Sequence, residues 1–350
     1  YTTINKSTDY FNTKLFTGNG SAGHAITGVG HQPDLTWIKV RGGTGDHGLW
    51  DSVRGVSKRI QSNENSAETT TSGVTAFGTD GFTMGTSYNV NNDNYASWNW
   101  KAGGGAGSAN TDGTINTTST SVNTTAGFSI SKYTGTGSAG ATIGHGLGAV
   151  PKLILVKVTS TGNNWGVYHA SLGSGSPQNK YLILDQNAAE SDATTLWNDT
   201  APTNQVFSVG SGGMTNSNGA TYVAYCFAEI PGYSKFGRYD GNGNTNGNFL
   251  YTGFKPSFFI MKRYDTTGNW GLFDNKRSTS GGGNVINYWV NPDLSNAEGS
   301  SSTAMNVDFL SNGVKIREDN GDLNTSGGDY IYIAFGQSIV GSNNIPATAR

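Results

Sequence analysis

The stretch PKLILVKVTSTGNNWGVYHASLG, Pro151 to Gly173, has one recognisable copy before it and one after. Upstream stands PDLTWIKVRGGTGDHGLWDSVRG, Pro33 to Gly55, and downstream PSFFIMKRYDTTGNWGLFDNKRS, Pro256 to Ser278. In each, a proline opens a run of strand-forming residues that holds a lysine (Lys39, Lys157, Lys262). A polar turn then leads to a glycine (Gly48, Gly166, Gly271) followed by an aliphatic and an aromatic residue. Proline, lysine and glycine all move by 118 from first to second copy (151 minus 33, 157 minus 39, 166 minus 48) and by 105 from second to third (256 minus 151, 262 minus 157, 271 minus 166). Self-similarity at these offsets makes the chain an array of about three related modules.

At 350 residues, three units of roughly 100 to 120 residues each have enough chain for a core of their own. Charged residues at 13% are scarce and 52 glycines are abundant, a turn-rich β composition rather than a helical one. Disorder is excluded by 8 Trp, 16 Tyr and 15 Phe, since a chain too poor in apolar groups to fold lacks such residues. The net charge of −2 comes without a run of like charges, so neither a nucleic-acid groove nor a basic membrane patch is expected. No apolar run approaches the length needed to insert in a membrane. One cysteine, Cys226, allows no internal disulfide and suits a reducing compartment. The chain opens at Tyr1 without a methionine, from which a longer gene product is expected.

The predicted fold is all-β, a tandem array of about three β-sandwich-like modules. The boundaries fall at 1–13 (a lead-in), 14–102 (module one), 103–127 (a Gly/Ser/Thr/Asn-rich linker), 128–232 (module two), 233–341 (module three) and 342–350 (a tail). Low complexity across 103–127 predicts a connector at which the first module hinges. Modules two and three, joined through AEIPGYSKFGRY after Phe227, are expected to pack together. Each module closes with an alternating strand. The sets Ala96, Trp98, Trp100, then Val223, Tyr225, Phe227, then Ile331, Ile333, Phe335 are apolar in all three copies and predict a core face. The opposite sets, Tyr95, Ser97, Asn99, then Tyr222, Ala224, Cys226, then Tyr330, Tyr332, Ala334, predict a partly exposed one.

Four stretches carry a family resemblance: NTTAGFSI (Asn123 to Ile130), YTGTGSAGATIGHGLGAVPKLILVK (Tyr133 to Lys157), TYVAYCFAEIPGYSKFG (Thr221 to Gly237) and FLYTGFKPSFFIMKR (Phe249 to Arg263). They are similar to a repeat family of tailed-bacteriophage structural proteins, mainly from phages of aquatic bacteria, with YVAYCFAE the most specific motif. The resemblance runs from Tyr10 to about Gly336. It implies a non-enzymatic virion component, a tail fibre or surface fibre with a host-attachment role. A capsid or tail decoration protein is the alternative, and a glycan-binding or glycan-cleaving tailspike the more distant one. The implied partners are further copies of the chain, as a homo-oligomer and in particular a trimer, neighbouring virion proteins, and a bacterial-surface glycan. The implied place is the virion surface, after assembly in the host cytoplasm. The family brings no catalytic residues to carry over.

Residue by residue, no catalytic, cofactor or metal site is expected. Gly18, Gly20, Gly23 and Gly135, Gly137, Gly140 match G-x-G-x-x-G but run into further glycines and a proline, where a phosphate loop must enter a helix. They predict hairpin loops. SISK, Ser129 to Lys132, falls in a predicted strand without partner motifs. Asp51 and Asp274 could supply carboxylates for glycoside hydrolysis, but the second copy has His169 at that position. Asp240, Asn242 and Asn244 begin like a calcium loop, yet Thr245 and Tyr251 stand where the motif wants Gly and Glu. His24, His31, His47, His145 and His169 lack zinc spacing. Trp50, Trp165 and Trp270 could stack on sugars, though Trp165 and Trp270 hold equivalent places and all three read better as core.

Overall fold

The structure is a computed structural model that describes residues 3–278, 284–300 and 304–338; the tail expected at 342–350 lies outside the described residues. The fold is all-β, 41% strand and 5% helix, with several sheets. Three large sheets share one strand order. The first runs Phe11–Thr17, Asn94–Trp100, Leu35–Val40, Gly48–Asp51. The second contains Phe128–Thr134, Thr221–Phe227, Leu153–Val158, Gly166–His169, and the third Ser234–Asp240, Asp329–Ser338, Phe254–Arg263, Gly271–Asp274, in that same order. In each copy the closing strand therefore lies centrally, between the opening strand and the proline-led strand, although it comes last in sequence. A small sheet accompanies each copy: His24–Thr27 with Gly81–Met84 and Val74–Gly78, Ala141–Gly144 with Val206–Val209, and Phe249–Tyr251 with Gly313–Ile316 and Val307–Leu310.

A central strand with apolar residues on both faces needs cover on both. The inner faces of all three large sheets meet in one shared core. At its centre the equivalent residues Trp100, Phe227 and Phe335 form a triangle, with ring centroids 6.4, 5.9 and 5.8 Å apart. Such edge-to-face contacts add about 0.5–1.5 kcal/mol each beyond the burial of the rings. The outer faces are covered by the small sheets, giving three satellite cores.

Two expectations are corrected by this arrangement. The second face of the closing strands is not partly exposed: Tyr95, Ser97, Asn99, Tyr222, Ala224, Cys226, Tyr330, Tyr332 and Ala334 are all buried. Small or polar residues there reflect close cover by a second sheet rather than contact with water. Nor does the first copy hang on a hinge, since Trp98 and Trp100 pack against Phe258 of the third copy and Trp100 against Phe227 of the second.

The residues expected as a linker, 103–127, are themselves built into the fold. Ser119–Asn123 adds an edge strand to the second sheet, Ile115 bridges Ile143, and Asp34 accepts hydrogen bonds from the amides of Ala102 and Gly104 at 2.7 and 2.9 Å. Glycine is abundant here for close approach rather than freedom. A Cβ on Gly107, whose φ is +73°, would lie 1.9 Å from the Thr120 carbonyl oxygen, and one on Gly113 would lie 2.3 Å from that of Thr142.

Candidate functional site

Polar side chains collect at the junctions between copies, and three short segments with the spacing of a further repeat line them. These are QSNENSAE (61–68), ILDQNAAE (183–190) and NPDLSNAE (291–298), displaced by 122 (183 minus 61) and then 108 (291 minus 183). In each, the backbone clamps the neighbouring copy in a cyclic sense. The amide of Glu68 donates to the Thr159 carbonyl at 2.9 Å, that of Glu190 to Tyr264 at 2.8 Å and that of Glu298 to Arg41 at 2.9 Å. Three residues earlier, Asn65, Asn187 and Ser295 accept from the amides of Asn163, Gly268 and Gly45 at 2.7, 2.9 and 2.8 Å. The first copy thus holds the second, the second the third, and the third the first.

The repeated tryptophans belong to this ring. Trp165 donates its indole N–H to the Gln61 carbonyl at 2.8 Å, and Trp270 donates to Ile183 at 3.1 Å. In the first copy the equivalent residue is His47, whose Nε2 lies 3.1 Å from the Asn291 carbonyl. Trp50 is buried elsewhere, in the first copy's satellite core. None of the three tryptophans offers a face to a sugar, because each is at most 1% exposed. The buried lysines also point here. Lys157 Nζ donates to the carbonyls of Asn65, Val158 and Asn163 at 3.2, 3.1 and 2.8 Å, and Lys262 Nζ to that of Asn187 at 3.4 Å. Burial draws Lys39, Lys157 and Lys262 each down to about 8.

Asp51 and Asp274 are fully buried and occupied. Asp51 accepts from Arg54 Nε at 2.5 Å and from the hydroxyl of Tyr225, in the second copy, at 2.6 Å. Burial, with Asp51 beside it, holds the Tyr225 phenol well above its ordinary value, so it stays a donor. Asp274 accepts from Arg277 Nε at 2.5 Å and from the indole of Trp98, in the first copy, at 3.0 Å. His169 takes the third such place, its Nε2 3.2 Å from the Tyr332 carbonyl, and burial lowers it to about 4. Tyr225, Trp98 and Ile333 occupy the same position of the three closing strands. The chain signals the pattern as Asp-x-x-Arg twice, at 51–54 and 274–277.

A buried asparagine in each copy ties down the glycine turns. Asn89, Asn216 and Asn324 accept from the amides of Asn19, Thr136 and Asn242 at 3.0, 2.8 and 2.9 Å. The two G-x-G-x-x-G stretches are thus loops following the opening strands, but not the hairpin loops expected, because each carries the chain from a large sheet into the small sheet that covers it. The Asp240 loop is braced by the same device, and no group of three or more potential metal-binding side chains stands together among the described residues. Ser129 lies in a strand as predicted, but is buried opposite Cys226, whose thiol burial pushes up. Among the described residues no helix is long and apolar enough to cross a membrane.

One polar recess at the surface belongs to the first copy. It has about 470 Å³ of accessible space between the Val40–Asp46 turn, Arg59 and the Tyr88–Tyr95 segment. Tyr88 there has a left-handed backbone, φ 57°, and its ring stands edge-on to Trp50 at 5.1 Å. A family model described as a domain of unknown function, DUF7483, matches residues 6–338. The chain belongs to that family. The match spans all three copies and every junction above, so the family is defined over the whole closed ring. No curated protein and no solved structure matches the chain.

Proposed function

We propose that the chain is a non-enzymatic structural component of a bacteriophage particle, a tail-fibre or surface-fibre protein displayed outside the virion and able to attach to host-surface glycan. In this reading each copy of the repeat is one sandwich-like module, and the three are locked into a single rigid block. The observation that carries it is the use made of Asp51 and Asp274. Each is fully buried, paired with an arginine and bonded to the neighbouring copy, so neither is available to protonate or attack a glycosidic bond. The resemblance of the 221–237 and 249–263 stretches to phage structural repeats supplies the particle.

Association into a trimer with neighbouring virion proteins belongs to the same proposal. The decoration reading gains from one feature: three copies inside one chain already close on one another through backbone hydrogen bonds at each junction, an association that fibres reach with separate chains. Light scattering separates the two, with a trimer expected for the fibre and a stable monomer for the decoration protein. Antibody labelling of particles, read by electron microscopy, should place the chain outside the virion. Incubation with host-envelope polysaccharide should release no oligosaccharide on chromatography; released sugars would overturn the non-enzymatic reading.

A further inference from the structure

We propose that the recess of the first copy binds one or two rings of a neutral sugar, Arg59, Asp46 and Tyr88 being its recognition residues. This rests on the glycan-attachment part of the reading above and assigns it a place. The repeat provides an internal control, because the equivalent positions in the other copies are differently built. Where Arg59 stands, the offsets of 122 and 108 bring Tyr181 and Trp289. Where Tyr88 precedes the buried Asn89, Thr215 and Leu323 precede Asn216 and Asn324, and both are fully buried. Repeat architecture therefore does not require an arginine and a part-exposed tyrosine at these places.

Three observations bear on a ligand. The Arg59 guanidinium lies 5.8 Å over the Tyr88 ring, while its buried Nε has no hydrogen-bond partner among the described residues. That nitrogen shares its state with several other buried polar atoms, the Trp50 indole behind Tyr88 among them, but Arg59 lines the recess, where an acceptor on a ligand can reach it. Tyr88 is a bulky residue held at positive φ, a strained conformation of the kind that persists where function or surroundings demand it. The space, about 470 Å³, falls within the roughly 300–1,000 Å³ usual for small-molecule sites.

The chemistry selects the class. Asp46 has one oxygen taken by Asn63 Nδ2 at 2.8 Å, and the other, like the carboxylate of Asp93 at the far wall, can accept from hydroxyl groups. Arg59 donates, Asn92 can do both, and an aromatic ring is present for the C–H face of a pyranose. A ligand carrying several hydroxyls and an apolar face fits this set. With two carboxylates against one guanidinium, an acidic sugar is disfavoured relative to a neutral one.

The test is NMR titration of the full chain with glucose, galactose, N-acetylglucosamine, N-acetylgalactosamine and glucuronate. At least one neutral sugar should bind saturably in the millimolar range, shifting the Tyr88 amide and the Trp50 indole, with glucuronate weaker. Arg59→Gln and Asp46→Asn should each weaken that binding by about tenfold, the order expected for loss of a hydrogen bond to a charged group, while thermal melts remain two-state. Tyr88→Gly, which suits the positive φ, should remove it. Absence of saturable shifts for every sugar, or binding unchanged in Arg59→Gln, would overturn the assignment. If the chain still binds envelope polysaccharide when Arg59→Gln has no effect, attachment stands and this recess is not its seat.

Discussion

At the junction of the first copy with the second, a buried Asp51 faces Arg54 and receives the Tyr225 hydroxyl. At the junction of the second with the third, the same two backbone positions carry His169 and Leu172, and the imidazole meets the Tyr332 carbonyl instead. The strands around both are alike in order and register, Leu35 facing Asp51 and Leu153 facing His169. Cation and anion are present together or absent together, because either alone would be an uncompensated charge in a dry interior. Glu68 and Glu298 reach Arg54 and Arg277 at 3.1 Å, whereas Glu190, half-buried as they are but paired with no arginine among the described residues, accepts from the Gly173 amide at 3.1 Å. The carboxylates that look catalytic in one dimension are thus one of two interchangeable ways of joining copies.

The comparison breaks most readily at the ion pair. Arg54→Leu alone should cost about 3–5 kcal/mol by stranding Asp51, and the double replacement Asp51→His with Arg54→Leu, which imports the second copy's solution, should recover most of it. Chemical denaturation would show this; equal losses for single and double variants would mean that the pair does not act as a unit. At the axis, Phe227→Ala should lose about 3–5 kcal/mol as a core truncation, measured the same way. One residue back, Cys226→Ser should lose about 1–3 kcal/mol by placing a hydroxyl among apolar groups; a neutral result would return that face to solvent.

Smaller in energy is the continuity of the block. A protease nick within 103–127 should leave both pieces co-eluting on size exclusion, because the shared core needs no covalent link there; separation would restore the hinge. The smallest effect expected, taken one lysine at a time, concerns pH. Lys39, Lys157 and Lys262 are drawn to about 8 by burial, against about 10.4 for a free lysine. Between those values the unfolded chain holds protons that the folded one has released, so stability rises with pH across that window and is flat below it. Each of the three lysines should raise the midpoint of thermal unfolding by about 2 °C from pH 7.5 to 9.5, and Lys157→Met should remove its share of the climb.

Much of this was legible in the chain. The constant offsets of Pro33, Pro151 and Pro256 announced the copies, and alternation placed Trp98, Tyr225 and Ile333 on a core face. The junction segments were missed because their signal is short, Ala67-Glu68, Ala189-Glu190 and Ala297-Glu298, and their offsets differ from those of the proline-led stretches. Asp51, Asp274 and the buried tryptophans could be seen to recur, but which neighbour each one touched could not be read.

The sequence by itself determined an all-β chain, three copies of one repeat, and which side of each closing strand is apolar, because these follow from residue type and periodicity along one strand. Only the tertiary structure decided that both sides are covered, that 103–127 is pinned rather than free, and that Arg54 and Arg277 neutralise the carboxylates. Those facts depend on which surfaces and side chains meet in space, whether three residues apart, as in Asp51 with Arg54, or in different copies, as in Asp51 with Tyr225. A small residue facing water and a small residue under a second sheet look the same in one dimension.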